Sequence, residues 1–339
     1  MRLRQVQTSL TDSAVWRTME CMVSVVINTR DRPHVLARCL AALAGQQAER
    51  PFEVIVVDDG SLLDLKPVIR SIRRTLSVRL ESIPHGGRAT ARNHGAALAT
   101  GRRIWFLGDD VFPEAGCLAR HIACEDPMTA LVGSYPWRDL CGSPPFRRWA
   151  EPNPQDQIQD PSNAGFFFFA TGNLSIDRTT FERLGGFDER FRRYGWEDID
   201  LGLRLARAGG HIVFDPEARA VHAHPPLNRR ALWRREREMG YTALQFWLKW
   251  VEAEPATAEQ VRFWEDPSRI RPPMRARRLF GETAVAVLDR LAPSSRLNER
   301  CYERLIFSYR LEGVAQAHRD SMTRKSNPPA PAKKREPFP

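Results

Sequence analysis

Short runs of β-branched and aliphatic residues alternate with longer amphipathic segments over the first third of the chain. The short runs are typical of buried strands, and the amphipathic segments are typical of helices that cover a sheet. The predicted strands are MVSVVINT, FEVIVVDDGS, SVRLESI and RIWFLGDDV, and the predicted helices are RPHVLARCLAALAG, LKPVIRSIRRT and ATARNHGAALATG. We expect Asp31 to cap the first helix and Pro33 to lie in its first turn. This alternation predicts an α/β fold with a mostly parallel, Rossmann-like sheet flanked by helices.

The pattern changes further along the chain. FFFFATGNLSID predicts another strand, RTTFERLGG a short helix, and the acidic stretch WEDID the start of a longer helix. Residues 227–320 carry Arg, Trp and Leu at helical spacing, which predicts a C-terminal helical region. The Pro- and Lys-rich residues 321–339 predict a disordered basic tail, and residues 1–20 form an N-terminal extension.

The composition indicates a folded protein in a reducing compartment. Hydrophobic residues make up 42% of the 339 positions, which is enough for a full core. No apolar run approaches the roughly eighteen residues of a membrane span, and the N-terminus lacks the apolar core of a signal peptide. The six cysteines include no C-x-x-C pair, which predicts reduced thiols. We therefore expect a cytoplasmic protein.

The net charge of +10 is concentrated at the C-terminal end of the chain. Residues 1–226 are close to neutral, so the helical region and the tail carry most of the excess. These residues contain no recognisable base-reading module, so we expect no nucleic-acid partner. Peripheral contact with the inner, anionic face of the plasma membrane, a homodimer contact and ordinary packing with extended Arg side chains all remain open.

Two acid pairs follow predicted strands. Asp58-Asp59 ends the second strand, and Asp109-Asp110 ends the fourth. Open parallel sheets bind ligands at the carboxyl ends of their strands, so both pairs are candidate binding residues. The alternative is that each pair only forms a solvated turn, since Asp-Asp-Gly-Ser is an ordinary turn signal.

Four segments carry a recognisable order of motifs: VSVVINTRDRPHVLARCLAALAGQ, FEVIVVDDGS, GGRATARNHGAALATGRRIWFLGDDV and TGNLSIDRTTFERLGGFDERFRRYGWEDIDLGLRLARAG. In this order they resemble the successive signatures of glycosyltransferase family 2, whose members are inverting enzymes with the GT-A fold. The resemblance covers residues 21–226 and implies a nucleotide-binding half over 21–111 and an acceptor half over 112–226. The second half also resembles the C-terminal segment of galactosyltransferases, where a Trp and an acid pair precede a helix.

The resemblance implies a divalent cation, Mn²⁺ or Mg²⁺. Such a cation neutralises the charge of a departing diphosphate, and hard cations prefer oxygen ligands. Asp110 aligns with the last acid of the D-x-D motif, His222 with the distal metal histidine, and His224 is a nearby alternative ligand. Gly108 departs from the family pattern, which has an acid at this position, and we expect Asp109 to substitute for it in part.

The resemblance also assigns residues to the nucleotide-sugar donor. Carboxylates at strand ends are expected to accept hydrogen bonds from a uridine-type base, and an Arg to approach the diphosphate. The expected donor-binding residues are Thr29, Asp31, Asp59, Arg88, Asp109, Gly172 and Asn173. For Arg88, an ordinary exposed helix position is an equal alternative.

Transfer requires a base that takes the proton of the acceptor hydroxyl. In the family this is the Asp of the Glu-Asp pair, which here is Asp198, and Glu197 and Asp200 are expected to hold acceptor hydroxyls. A helix N-terminus favours the ionised form of the base, although helix capping alone would also explain three acids in one turn. Trp196 can stack on an acceptor sugar ring or pack in the core.

Together these features predict a metal-dependent, inverting hexosyltransferase that uses a nucleotide sugar, UDP-linked by expectation, and a glycan or lipid-linked acceptor. One alternative is an inactive carbohydrate-binding or scaffold module of the same fold, because of Gly108. Another is a nucleotidyltransferase, which would need a Gly-rich basic loop after the first strand, and NTRDRPH is not one.

Overall fold

The computed structural model describes residues 22–47, 50–136, 154–223, 228–250, 275–291 and 296–326. These residues form two compact units. The first contains the described residues up to 136, together with 154–189 and 198–223. The second contains 190–197 and the described residues from 228 onward. The predicted N-terminal extension and most of the predicted tail lie outside the described residues, and the final helix extends into the tail as far as Ser326.

The first unit begins with alternating strands and helices, as predicted. They are β1 (Val23–Thr29), α1 (Pro33–Ala44), β2 (Phe52–Asp59), α2 (Lys66–Ile72), β3 (Val78–Ile83), α3 (Arg88–Ala97) and β4 (Arg103–Leu107). The remaining elements of this unit are β5 (Val111–Pro113), α4 (Cys117–Ala123), β6 (Thr129–Gly133), β7 (Asn173–Asp177), α5 (Arg178–Arg183), α6 (Glu197–Arg207, of which Glu197 falls in the second unit), β8 (His211–Asp215) and β9 (Ala220–His222).

Seven strands form one sheet in the order β3-β2-β1-β4-β7-β6-β8. The first four of these are mutually parallel, and β6 pairs parallel with β8, whereas β7 runs antiparallel to both of its neighbours. This arrangement confirms the prediction of a mostly parallel sheet flanked by helices. It also places the ends of β1, β2 and β4 at one edge of the sheet.

Apolar side chains cover both faces of this sheet. Trp105 of β4 packs in the layer beneath α1, α2 and α4, and the next residue, Phe106, packs in the layer beneath α3, α5 and α6. Successive strand residues point to opposite faces, so a strand buried on both sides carries a continuous apolar run, as the IWFL of β4 does after Arg103. The two layers hold the carboxyl ends of the strands in fixed positions.

Two local predictions were wrong. The segment Phe166–Phe168 forms a short 3₁₀ turn rather than a strand, and the strand begins only at Asn173. Asp31 does not cap α1, because the cap position is Arg32, while Asp31 has a left-handed backbone conformation with φ of 54°. The Asp31 carboxylate instead accepts hydrogen bonds from the backbone N–H groups of Leu62 and Leu63.

The second unit contains the predicted C-terminal helices α7 (Arg229–Trp250), α8 (Arg275–Leu291) and α9 (Arg296–Ser326). Helices α7 and α9 approach closely at two glycines. A Cβ on Gly240 would lie 1.9 Å from the Arg310 carbonyl oxygen, and one on Gly313 would lie 1.9 Å from that of Arg237. No helix among the described residues is long and apolar enough to cross a membrane.

A buried polar network lies within the first unit. The Asn173 Oδ1 is 2.9 Å from both the Trp105 Nε1 and the His121 Nε2, and the His121 Nδ1 is 3.0 Å from the Ser175 Oγ. The Asn173 Nδ2 donates to the Ala218 carbonyl at 2.9 Å. Burial lowers the pKa of His121 to about 3, so the ring is neutral in the folded protein at neutral pH.

The neutral His121 predicts acid-sensitive stability. Between about pH 6.5 and pH 3 the unfolded chain binds a proton at His121 and the folded chain does not. The free energy of unfolding should therefore fall as the pH is lowered. His121 contributes up to ~1.4 kcal/mol per pH unit to this fall. Urea denaturation from pH 7.5 to 5 measures this slope. His121→Phe should flatten it, whereas the same change at the exposed His34 should not. Equal slopes in all three proteins would contradict the prediction.

Candidate active site

The acid pair predicted to bind a metal lies in the turn after β4. Gly108, Asp109 and Asp110 connect β4 to β5, and the Val111 N–H donates to the Gly108 carbonyl at 3.0 Å. Asp109 and Asp110 are only 6% and 9% exposed. They are therefore not the solvated turn of the alternative interpretation, because two adjacent buried carboxylates need positive partners.

Arg32 is one such partner, and no motif in the sequence predicted it. Its Nη1 lies 3.0 Å from the Asp109 Oδ1 and 3.0 Å from the Asp110 Oδ2. Burial and the nearby charge of Arg88 act to lower the pKa of Arg32, but the charges of Asp109 and Asp110 outweigh them and raise it. The available signal was its position three residues after the end of β1, a strand that neighbours β4.

His222 lies beside Asp110, and its role as a metal ligand stays a prediction. Strands β5 and β9 pair antiparallel, with Val111 opposite His222, and the Ala223 N–H donates to the Asp110 carbonyl at 2.8 Å. This pairing places the His222 Nε2 3.5 Å from the Asp110 Oδ1. His224 lies outside the described residues.

Thr29 contacts the other member of the acid pair. Its Oγ1 donates to the Asp109 Oδ2 at 2.7 Å. Burial, and then the charge of Asp110, raise the pKa of Asp109 to about 6, although Arg32 and Thr29 act in the opposite direction. Two weakly solvated carboxylates can attract a second cation in addition to Arg32.

The structure gives a physical reason for the glycine at position 108. A Cβ at this position would lie 3.1 Å from the Asp110 Oδ1 and 3.0 Å from the Val111 Cγ2. A larger residue would therefore crowd the carboxylate oxygen that faces His222. The Gly108 N–H also donates to the Gly172 carbonyl at 3.0 Å, which fixes the start of the turn.

The donor set fits a divalent cation that is shared with a substrate. Among the described residues, no group of three or more His, Cys, Asp and Glu side chains is arranged to hold a metal. Asp110 and His222 offer a carboxylate oxygen and an imidazole nitrogen 3.5 Å apart. Mg²⁺ commonly uses one or two carboxylates and completes its shell with water and substrate phosphates, and imidazole also suits divalent transition metals.

Several predicted donor-binding side chains have protein partners. The Asp59 carboxylate accepts hydrogen bonds from the backbone N–H groups of Gly86 and Gly87 and contacts the His85 ring. These contacts hold the loop before α3, at whose first position Arg88 lies half-buried. Asp31 similarly holds the loop after β2. Whether either carboxylate also contacts a nucleoside stays a prediction.

Gly172 and Asn173 lie at the start of β7, and Gly172 is bonded to Gly108 of the acid turn. The Asn173 side chain is fully buried and its polar atoms are bonded within the protein, so it supports β7 and has no surface for a sugar. A Cβ on Gly172 would lie 2.7 Å from the Tyr135 ring, so the glycine permits a close approach of that ring.

The predicted catalytic acids lie at the start of α6. The half-buried Asp198 accepts a hydrogen bond from the Ile199 N–H at 2.9 Å. Asp200 is fully buried and forms a two-point ion pair with Arg204, at 3.0 Å to Nε and 2.9 Å to Nη2, so its carboxylate stabilises the helix. Of these two residues, only Asp198 combines partial exposure with the position expected of a base.

Trp196 and Glu197 belong to the second unit. Trp196 has φ of 71°, and it and Asp31 are the two non-glycine residues with positive φ among those described. Such a conformation is uncommon for a bulky residue and is enriched at functional sites. The Trp196 ring lies 5.1 Å from that of Phe246, and Glu197 is buried. The acceptor roles of both residues stay predictions.

Family profiles and curated relatives both match glycosyltransferases. Residues 24–185 match the profile of glycosyl transferase family 2, and residues 163–224 match that described as the N-terminal domain of galactosyltransferase. Hyaluronan synthase from Pasteurella multocida is 30% identical over 239 residues, covering 60% of this chain and 25% of that protein. Validoxylamine A glucosyltransferase from Streptomyces hygroscopicus subsp. limoneus is 30% identical over 233 residues, covering 60% and 51%. The chain thus spans about half or less of these relatives.

Solved structures share the fold. A mannosyltransferase from Pyrobaculum calidifontis superposes with a TM-score of 0.55 at 20% identity, covering 89% of this chain and 88% of that one. Residues 1–349 of TarS from S. aureus give a TM-score of 0.54 at 15% identity, covering 88% and 92%. These similarities confirm the predicted GT-A fold. The matched profile and the curated relatives show that residues 24–185 form a glycosyltransferase family 2 domain.

Proposed function

We propose that the chain is a metal-dependent, inverting glycosyltransferase that moves a hexosyl group from a nucleotide-sugar donor, with UDP as the expected nucleotide, to a hydroxyl of a glycan or lipid-linked glycan. The observation that carries this proposal is the buried pair Asp109-Asp110 at the carboxyl end of β4, with His222 beside it and Arg32 across it. A site of this kind accepts a cation and the anionic diphosphate that accompanies it.

The proposed donor site offers ligands for a metal ion and also guanidinium groups for the diphosphate. A divalent cation bound by Asp110 and His222 would supply charge neutralisation for the diphosphate leaving group. Arg32 and Arg88 offer guanidinium donors suited to phosphate oxygens. The mannosyltransferase structure contains GDP-Man and Mn²⁺, and a TarS structure contains UDP-GlcNAc, so this fold accommodates donors of the proposed class.

Asp198 is the proposed general base. Its place at the N-terminus of the eleven-residue helix α6 favours the ionised carboxylate, because the helix dipole stabilises negative charge there. The carboxylate takes the proton from the acceptor hydroxyl as that oxygen attacks the anomeric carbon. The bond from this carbon to the diphosphate oxygen breaks, and the nucleoside diphosphate leaves with the electron pair. A single displacement of this kind inverts the anomeric configuration.

The C-terminal helices supply a proposed membrane surface. Helix α8 exposes Val287 and Leu291, which are 48% and 77% exposed, and α9 exposes Leu297 and Phe307, which are 60% and 56% exposed. Exposed Arg side chains are interleaved with them at helical spacing; they are Arg290, Arg296, Arg300 and Arg304. Membrane binding increases with the apolar area that inserts and with the attraction of cationic side chains to anionic lipids, and these helices expose both kinds of side chain. Binding to the inner face of the plasma membrane would bring the enzyme to a lipid-linked acceptor.

The metal assignment predicts a loss of donor binding on mutation. Asp110→Ala should weaken Mn²⁺-dependent binding of UDP or GDP at least roughly tenfold, since it removes the proposed metal carboxylate. Titration calorimetry with and without Mn²⁺ measures the effect. Asp64→Asn, a change at an exposed acid before α2, should leave it unaltered. Unchanged Mn²⁺-dependent binding in Asp110→Ala would remove the assignment.

The base assignment predicts a loss of transfer without a loss of donor binding. Asp198→Asn keeps the size of the side chain but cannot accept the proton, so turnover should fall roughly 10²- to 10⁴-fold. Steady-state transfer from a screened panel of nucleotide sugars gives the rate, and calorimetry gives donor affinity. Glu182→Gln, at an exposed acid of α5, is the matched control. Full transfer by Asp198→Asn would refute the assignment, and donor binding without turnover in the wild type would favour an inactive module.

The membrane surface predicts charge-dependent binding to vesicles. Replacing both Arg300 and Arg304 by Gln should lower cosedimentation with mixed phosphatidylglycerol and phosphatidylcholine vesicles roughly tenfold or more. The same charge change at Arg73 and Arg74, exposed near the end of α2, should have little effect. Equal losses in both variants, or no vesicle binding by the wild type, would contradict the proposal. Self-association that depends on Arg300 and Arg304 would instead identify a contact between copies.

A further inference from the structure

We propose that Arg32 is a positioning residue that makes metal binding and donor binding depend on each other. In this proposal Arg32 is the counter-ion of the acid pair in the donor-free protein and becomes a diphosphate contact when the donor arrives. The proposal rests on the proposed function, because it concerns the order in which metal and donor occupy the same site.

Arg32 bridges the acid pair through a single nitrogen. The Nη1 lies 3.0 Å from one oxygen of Asp109 and 3.0 Å from one oxygen of Asp110. The two carboxylate side chains are 8% and 12% exposed, so water screens these ion pairs weakly. Charge-assisted hydrogen bonds in such surroundings are among the stronger ones in proteins.

This arrangement disfavours a metal ion that binds alone. The Asp110 carboxylate directs Oδ2 to Arg32 and Oδ1 towards His222, so a cation between Asp110 and His222 would share its carboxylate with the guanidinium. The like charges of the cation and Arg32 repel each other, and the cation draws negative charge from the Arg32 ion pair. The affinity of the donor-free site for Mn²⁺ is therefore lower than the two ligands alone would give.

A diphosphate reverses this effect. Arg32 has five N–H donors, of which the acid pair uses those of one nitrogen. The remaining donors can bind phosphate oxygens while the diphosphate also contacts the metal, so the anion separates two cations that otherwise repel each other. The side chain is 32% exposed, which leaves it accessible to such a ligand. By linkage, the donor then increases the affinity for the metal by the same factor as the metal increases the affinity for the donor.

The test is Mn²⁺ binding to the full chain, measured by electron paramagnetic resonance at pH 7.5 without nucleotide and with saturating UDP or GDP. Arg32→Met should bind Mn²⁺ roughly five- to tenfold more tightly than the wild type without nucleotide, and the nucleotide should increase its affinity by a correspondingly smaller factor. Arg32→Lys, which keeps the charge, should remain close to the wild type. Arg30→Met is the matched control, because Arg30 is 46% exposed and pairs with Asp31 rather than with the acid pair.

Two failures are distinguishable. If the wild type binds Mn²⁺ with nucleotide but Arg32→Met binds it without nucleotide no more tightly than the wild type, the role of Arg32 is wrong and the proposed function stands. If no protein binds Mn²⁺ with either nucleotide, the metal-dependent function is itself contradicted, and this inference with it. Thermal melting in EDTA establishes that each variant folds, and Arg32→Gln replaces Arg32→Met in the comparison if that variant does not.

Discussion

The placement of two adjacent carboxylates out of water is the constraint on which the candidate site depends. Asp109 and Asp110 cannot both remain charged in a buried turn without cationic partners, because desolvation and their mutual repulsion both oppose ionisation. The fold supplies the guanidinium of Arg32, after the end of β1, as a cationic partner, and it also places the imidazole of His222, at the end of β9, beside Asp110. A site that needs positive charge is also one that a metal and an anionic leaving group can share.

The small sheet of β5 and β9 is what brings the histidine to the acid pair. Each strand has three residues, and their pairing places Val111 opposite His222. The backbone bond from Ala223 to the carbonyl of Asp110 continues this alignment past the end of the strand. More than one hundred residues separate Asp110 from His222 in sequence, so the distance between these two proposed ligands is set by these few backbone bonds rather than by local geometry.

The sequence allowed the sheet and the location of the acid pair to be predicted, because apolar runs such as the IWFL of β4 and acids at the strand ends are local signals. The sequence did not reveal which partners the individual side chains contact. Arg32 has no local feature that distinguishes it from Arg30, and only the pairing of β1 with β4 brings it to Asp109. Asp31 failed as a helix cap for the same reason, since its carboxylate binds a loop thirty residues away in sequence.

Asn173 supports the candidate site through hydrogen bonds to neighbouring segments, although its side chain is buried away from the acid pair. Its side-chain amide donates to the carbonyl of Ala218, two residues before β9, and its carbonyl oxygen accepts from the β4 indole of Trp105. The preceding residue, Gly172, accepts the backbone bond of Gly108 at the start of the acid turn. One buried amide is thus bonded to the strand that leads to the acid pair and to the segment that leads to His222, the proposed metal ligand. Gly172 and Asn173 therefore connect, through one backbone bond and one side-chain amide, the acid turn to the segment before β9, and so fix the two parts of the proposed cation site relative to each other.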